Sequence, residues 1–256
     1  MKLENKIALV TGGGTGIGKA IALEYAREGA DVAVSSRNID NLNAVCSEIK
    51  GMGRRSLAVA ADVCVKDQVD NMVQKVIGEF GRIDILVNNS GVSRNVPILE
   101  FEEKDWDAVI NTNLKGVFLC TQAVAKHMIQ RKYGKIINMS STSSLGAIVD
   151  GQSAYCSSKF AVNGFTKASA REFGPYGINV NAIAPGRILT AMVRQGKNPE
   201  QLKEYLKISS AAAVVGRMGE VEDISHLALF LASDDSSFIT AEIVASNGGR
   251  TNLMGR

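Results

Sequence analysis

The sequence has little that would build a metal centre, a disulfide scaffold, a membrane anchor or a nucleic-acid interface. Its 256 residues include four cysteines, Cys46, Cys64, Cys120 and Cys156, spread far apart with no Cys-x-x-Cys pair, and only two histidines, His127 and His226. Disulfide frameworks and zinc sites need clustered thiols or imidazoles. No metal is therefore expected, and the cysteines read as free thiols in a reducing cytoplasm. Net charge is only +3, and the densest basic spots, Arg54-Arg55 and Gln130-Arg131-Lys132, are isolated. Neither makes the stripe that nucleic acid or an anionic membrane surface requires. Long apolar runs are missing too: the first, residues 7–10, is far too short for a signal segment or a membrane span. There is no linker, no repeat, and no low-complexity tract beyond the serine-rich residues 140–144. With 45% apolar residues the chain can bury a sizeable core, and residues 1–256 are expected to form a single domain.

What the sequence does have is alternation. Short continuous apolar runs occur at 7–10, 32–34, 57–60, 83–87, 136–139, 178–183 and 243–245. Continuous apolarity suits strands covered on both faces, as in a parallel sheet. Between the runs, apolar residues recur at helical spacing, as in Val69, Met72, Val73, Val76, Ile77 and Phe80. Strand–helix–strand repetition predicts an α/β fold, a doubly wound parallel sheet of Rossmann type with helices on both faces.

Directly after the first strand runs Thr11-Gly12-Gly13-Gly14-Thr15-Gly16-Ile17-Gly18, followed by a helical stretch over residues 19–28. A tight glycine turn opening a helix leaves backbone N–H groups aimed at an anion, here the pyrophosphate of a dinucleotide. Gly12, Thr15, Gly16, Ile17 and Gly18 are the expected cofactor contacts. The second strand ends Val34-Ser35-Ser36-Arg37 with no carboxylate for a ribose 2′-hydroxyl. Ser36 and Arg37 suit a 2′-phosphate instead, which favours NADP(H), with NAD(H) as the alternative. Asp62-Val63 and Asn88-Asn89-Ser90-Gly91 end the third and fourth strands. Asp62 can accept from an adenine amino group, and Asn88 and Asn89 can brace the loops of the crevice.

Tyr155 and Lys159 are four apart in a segment, Ser153–Phe173, that reads as helix, so phenol and ammonium share a face. Tyrosine ionises near pH 10, and a neighbouring cation makes its proton transferable nearer neutrality. A strand over 136–139 delivers serines to the same edge of the sheet, where a hydroxyl can bond a carbonyl oxygen gaining negative charge.

In this order and spacing, Thr11-Gly12-x-x-x-Gly16-x-Gly18, Asn88-Asn89-Ser90-Gly91, Asn113, Ser141, Tyr155-x-x-x-Lys159 and Pro185-Gly186 resemble the short-chain dehydrogenase/reductase family across essentially the whole chain. The resemblance implies an oxidoreductase moving a hydride between nicotinamide and a carbonyl or secondary alcohol. It implies Tyr155 as acid/base, Ser141 polarising the substrate oxygen, Lys159 holding ribose and lowering the tyrosine pKa, and Asn113 anchoring a water. Val63, Asn89, Gly91, Pro185, Gly186, Ile188 and Thr190 join the implied cofactor contacts, with a substrate lid at about 187–216. The branch is usually homotetrameric, a homodimer being the alternative, built on helices at 103–131 and Ser153–Phe173.

The chain departs from the family pattern in places. Tyr155 lies fourteen residues after Ser141, one more than usual, so Thr142 or Ser144 could supply the hydroxyl. Thr15 stands where many NADP-dependent members carry a basic residue. Arg187 replaces a bulky apolar residue, and is expected either to pair with an acid of the lid or a neighbouring subunit, or to bind an anionic substrate, helped by Arg194 and Lys197. Substrate readings divide between a 3-oxoacyl carrier-protein reductase, with Arg131 and Lys132 facing the acidic carrier, and a dehydrogenase of sugars, polyols, steroids or small secondary alcohols. A silent NADP-sensing scaffold on the same fold is the non-enzymatic alternative; it should bind NADPH without turnover.

Overall fold

The computed structural model describes residues 1–146, 150–190, 193 and 198–250. The seven apolar runs form seven strands: β1 (Ile7–Thr11), β2 (Asp31–Ser36), β3 (Ser56–Ala60), β4 (Ile85–Asn88), β5 (Gly134–Met139), β6 (Ile178–Pro185) and β7 (Ile243–Ser246). They pair in the order β3-β2-β1-β4-β5-β6-β7, every ladder parallel. The expected doubly wound α/β sheet is therefore present. Because β1 lies between β2 and β4, the winding reverses there, and a crevice opens outside the carboxyl ends of these strands.

The helices among the described residues are α1 (Gly16–Arg27), α2 (Ile39–Gly51), α3 (Lys66–Phe80), α4 (Glu103–Ile110), α5 (Gly116–Arg131), α6 (Ser153–Phe173), α7 (Pro199–Ala211) and α8 (Val221–Ala232). Side chains alternate along each strand, so both faces need apolar cover. On one face Ala8, Val10, Val32 and Val34 meet Ile21, Tyr25, Leu42, Ile224 and Ala228 from α1, α2 and α8. On the other, Ile7, Leu9 and Ala33 meet Met72, Val76, Val124 and Met128 from α3 and α5. Buried Tyr25 donates its hydroxyl to the Ala228 carbonyl at 3.0 Å, tying α1 to α8. None of the described helices is long and apolar enough to cross a membrane.

The sequence departs from the observed elements in two instructive places. The fourth run starts at Ile83, but the strand starts at Ile85, because the intervening Asp84 is spent on a cap. Its buried carboxylate accepts from the Ile7 N–H at 2.8 Å and from Arg82 Nε at 3.0 Å, and pairs with Arg131. Arg131 also donates to the Ile83 carbonyl at 3.1 Å. The second departure lies in the long helix expected over 103–131. It runs through, but Asn111–Lys115 form a π-helical turn between α4 and α5. Such one-residue bulges gather at functional sites and leave almost no trace in apolar periodicity.

Candidate active site

The glycine turn closes on itself through backbone groups. Gly12 and Gly16 have φ of +63° and +54°, a region that side chains other than glycine rarely enter. A Cβ on Gly18 would meet the Gly12 carbonyl oxygen at 2.3 Å, so α1 sits too close to the turn for any larger residue. Thr15 precedes α1 with extended backbone and no side-chain cap. The first turn of α1 thus points uncapped N–H groups into the crevice, the arrangement a pyrophosphate needs. A Cβ on Gly16 would touch nothing nearer than Thr190 Cγ2 at 3.7 Å, which places Thr190 across the opening from the turn. Asn89 locks the floor: its Nδ2 donates to the carbonyls of Thr11 and Gly12, both at 3.1 Å.

Gly12, Ser36, Arg37, Asp62, Val63 and Gly91, all named from sequence as cofactor contacts, line one cleft of about 500 Å³. Asp62 spends Oδ1 on the Cys64 N–H at 2.9 Å. Ser36 Oγ lies 3.5 Å from where a Cβ on Gly14 would sit, so its hydroxyl borders the glycine turn. Arg37 is exposed and has no carboxylate partner among the described residues. Asn88 does not brace the crevice. It is buried, and its Nδ2 donates to Thr121 Oγ1 and Asn138 Oδ1 at 3.0 and 2.9 Å, linking β4 to β5 and α5.

The residues expected to do chemistry converge where β4, β5, α6 and the π turn meet. Lys159 is buried; its Nζ donates to the Met139 carbonyl at 2.6 Å and lies 5.7 Å from the Tyr155 ring centroid. Burial with no facing carboxylate lowers its pKa to about 8. A Cβ on Gly91 would meet Asn113 Oδ1 at 3.3 Å and Lys159 Nζ at 3.7 Å, so the three are neighbours. Fully buried Asn113 accepts from the Val92 N–H at 2.8 Å and donates to the Val92 carbonyl and to Ser158 Oγ at 2.9 and 3.0 Å. Tyr155 is half-buried, and this desolvation raises its pKa while a hydrogen bond with Ser141 pulls the other way.

That contact distinguishes the candidate serines. Ser144 is buried, donates to the Ser141 carbonyl at 2.6 Å, and accepts from Ser140 Oγ and Asn163 Nδ2, both at 2.9 Å. Its hydroxyl knots the loop to α6. Ser141 Oγ accepts from the Ser143 N–H at 3.1 Å and faces Tyr155.

Arg187 finds no acid among the described residues. Its Nη1 donates to buried Ser209 Oγ at 3.0 Å, and its guanidinium lies 5.4 Å from the Tyr205 ring centroid. The internal ion pair expected for it is therefore absent from the described residues. Arg194 and Lys197 lie outside the described residues, as do 191–192 and 195–196 of the expected lid. Pro185 ends β6, and the Gly186 N–H donates to the Ser246 carbonyl at 2.9 Å. Ile188 is buried beside Gly219.

Sequence reasoning missed Ser158, Asn163 and Arg250. Ser158 and Asn163 lie three and eight residues after Tyr155 in α6. Helical spacing could have found them as inward-facing polar residues; Arg250 carried no such signal.

Residues 6–201 match the short chain dehydrogenase family. The chain is 43% identical to a (2S)-((R)-hydroxy(phenyl)methyl)succinyl-CoA dehydrogenase subunit of Thauera aromatica, covering 100% of both chains. It is 41% identical to a 3-oxoacyl-acyl-carrier-protein reductase of Thermotoga maritima, over 97% of this chain and 99% of that one. A crystal structure of a short-chain type dehydrogenase/reductase from Mycobacterium marinum superposes with a TM-score of 0.90 at 40% identity, covering 98% of this chain and 97% of the other. The chain belongs to the short-chain dehydrogenase family and is an oxidoreductase that works on CH–OH or C=O groups with a nicotinamide cofactor.

Proposed function

We propose that the protein uses NADP(H) to interconvert a 3-oxoacyl and a hydroxyacyl thioester, with Tyr155 as the acid/base. The observation that carries the chemistry is the meeting of Tyr155, Ser141, Lys159 and Asn113 beside the glycine turn. The substrate class rests on the relatives, two of which are named for acyl thioesters, one on a carrier protein and one on coenzyme A.

The residues present fit a dinucleotide: an uncapped helix start, a glycine turn whose free side faces open space at Gly16, and Thr190 opposite. Gly12, Thr15, Gly16, Ile17 and Gly18 would hold the pyrophosphate, and Asp62, Val63, Asn89 and Gly91 the adenosine side. Pro185, Gly186, Ile188 and Thr190 would hold the nicotinamide end. Ser36 and exposed Arg37 would take a 2′-phosphate, which favours NADP(H) over NAD(H). When bound, the nicotinamide supplies or accepts the hydride.

In this reading Ser141 Oγ donates to the substrate oxygen and Tyr155 Oη gives or takes its proton. Burial, helped by the neighbouring Cys156, holds the phenol above its ordinary value, so proton transfer near neutrality calls for positive charge close by. Lys159 provides that charge from a site already buried, with its pKa lowered to about 8. Asn113 positions the loop after β4 through Val92 and the active helix through Ser158.

Arg131 is drawn into the Asp84 cluster, leaving Lys132, exposed at the end of α5, as the cation beside it for an acidic carrier. A homotetramer is proposed on the same footing, with exposed Phe118 on α5 and Phe160 on α6 as the apolar faces available to a second copy. Localisation in the cytoplasm is proposed from the free, scattered thiols.

The test is NADPH and NADH oxidation with acetoacetyl-N-acetylcysteamine, against a panel of sugars and simple secondary alcohols. The reading predicts turnover of the thioester, with NADPH the better donor. Turnover confined to sugars or alcohols would overturn the substrate class, and equal kcat/KM for both nucleotides would overturn the cofactor preference.

A further inference from the structure

Arg187 and Arg250 line a cavity of about 650 Å³ between the carboxyl end of β7, helix α7 and the segment leading into α8. Arg250 is 7% exposed, and its Nε has no hydrogen-bond partner among the described residues. Arg187 is half-buried; its Nη1 donates to neutral Ser209 Oγ and its guanidinium lies against the Tyr205 ring. One acid lines the cavity, Asp223, and it is spent: its two oxygens take Arg217 Nη1 and Nη2, both at 2.7 Å. Of the three guanidiniums that line the cavity, Arg217 takes this one acid, and Arg187 and Arg250 are left without an acidic partner among the described residues. Burial and the nearby charge of Arg187 both push the pKa of Arg250 down. Enclosing unpaired like charges is costly, and a fold that keeps them has left an anion to be supplied.

The backbone on both sides is fixed. The N–H groups of Val214 and Val215 donate to the Gly249 and Gly248 carbonyls at 3.3 and 3.2 Å. Both glycines have φ of +67°, which bends the chain so that Arg250 comes back against Ala213. The Gly219 N–H donates to the Arg187 carbonyl at 3.0 Å, and the Leu189 N–H to that of Gly219 at 2.8 Å. Arg187 also directly follows Pro185-Gly186 and stands three residues before Thr190, which faces the glycine turn.

We infer that Arg187 and Arg250 together form an oxyanion subsite for a carboxylate carried by the substrate away from its reacting carbon. The planar forks of two guanidiniums can each bond a carboxylate through two N–H groups, which fixes its orientation as well as its charge. The inference rests on the proposed function in that the anion belongs to the thioester substrate. It narrows that class to acyl chains with a free acidic group. Inorganic phosphate shares the required chemistry and is the competing occupant.

The experiment has a binding arm and a kinetic arm. Calorimetric titration of the full chain, alone and with NADPH, uses succinate, its neutral diamide and inorganic phosphate as probes. Succinate should bind more tightly than phosphate and the diamide should not bind. Arg187→Met and Arg250→Met should each weaken succinate by about tenfold or more, with NADPH affinity held within about twofold. In the kinetic arm, Arg187→Met should raise KM for a 3-oxoacyl thioester ending in a carboxylate by about tenfold. The neutral acetoacetyl thioester should keep its KM. If Arg250→Met fails to fold, the half-exposed Arg187 carries the test alone. Phosphate binding tighter than succinate, or succinate binding equally to wild type and Arg187→Met, overturns the subsite. Loss of thioester turnover in the wild type, with succinate binding still dependent on Arg187, overturns the substrate reading and leaves the subsite standing.

Discussion

Along the carboxyl edge of the sheet, the stretch over β1, β2 and β4 and the stretch over β6 and β7 are built in opposite ways. Over β1 and β4, polar groups close on near neighbours: Asn89 takes the Thr11 and Gly12 carbonyls, and the Asn89 and Ser90 N–H groups take Thr11 Oγ1. What remains open there is the uncapped start of α1 and exposed Arg37, which has no acidic partner among the described residues. Over β6 and β7, the backbone is pinned but two guanidiniums are left without an acid among the described residues. A surface that binds through backbone N–H groups suits a ligand part that never changes, the pyrophosphate. One that binds through unpaired side-chain charge can be altered by a single substitution, as suits a part that differs from one substrate to the next.

The largest effects are expected at the junction between the two regions, where the chemistry is proposed. Tyr155→Phe keeps the ring and removes the proton carrier, so kcat should fall by about 10²–10⁴-fold, with NADPH affinity unchanged in a binding titration. Retention of half the turnover would refute the role. Ser141→Ala should cost about 10²–10³-fold in kcat, as for loss of one donor to a developing oxyanion. Ser144→Ala, which unties the loop from α6, should instead lower stability by about 1 kcal/mol in a denaturant titration and leave kcat within a few-fold. Exchange of those two outcomes would move the hydroxyl to Ser144.

On the nucleotide side, Ser36→Asp with Arg37→Leu should turn the ratio of kcat/KM for NADPH over NADH through about tenfold or more, toward NADH. Steady-state kinetics with both nucleotides reads this, and an unmoved ratio would show that the 2′-phosphate is held elsewhere. The pH dependence of stability is carried by Lys159. Its folded pKa of about 8 lies below the ordinary lysine value of 10.5, so between these two pH values the unfolded chain holds a proton that the folded chain has released. Stability from this group therefore rises with pH across that window, and its penalty is complete below it. Lys159→Met should raise unfolding free energy at pH 7 by on the order of 1–3 kcal/mol, with the gain fading toward zero as pH passes the unfolded value of 10.5, while turnover collapses. A destabilised variant at pH 7 would mean that the Met139 hydrogen bond outweighs desolvation.

The same contrast explains what could be read from sequence. The inner strands were legible because a strand covered on both faces must be continuously apolar, and the partly covered edge strands β3 and β7 keep short apolar runs. The glycine turn was legible because its constraints act within eight residues. Asp84 was not, since its role as a cap depends on Ile7, Arg82 and Arg131 meeting at the opposite edge of the sheet. Asn88 was placed in the crevice by its position at a strand end, yet its side chain turns inward to Thr121 and Asn138. Strand periodicity sets a face, but a strand end leaves the choice open. The π turn escaped because one extra residue barely shifts the apolar stripe, although Asn113 itself was marked by the family resemblance. Arg187 stood out as an odd residue beside Pro185-Gly186. Its partner in the cavity, Arg250, lies sixty-three residues away and is brought back by two left-handed glycines, which no local pattern announces.

The central claim is that hydride passes directly between the nicotinamide and the carbonyl carbon, while the proton on oxygen comes through Tyr155. Isotope tracing reads the hydride transfer directly: acetoacetyl-N-acetylcysteamine is reduced with NADPH carrying deuterium at both positions of its reactive carbon, in ordinary water, and the product is examined by NMR and mass spectrometry. The account predicts one deuterium on the hydroxyl-bearing carbon of the product and none elsewhere. Product that carries no deuterium at that carbon, having taken its new C–H hydrogen from water, would contradict it.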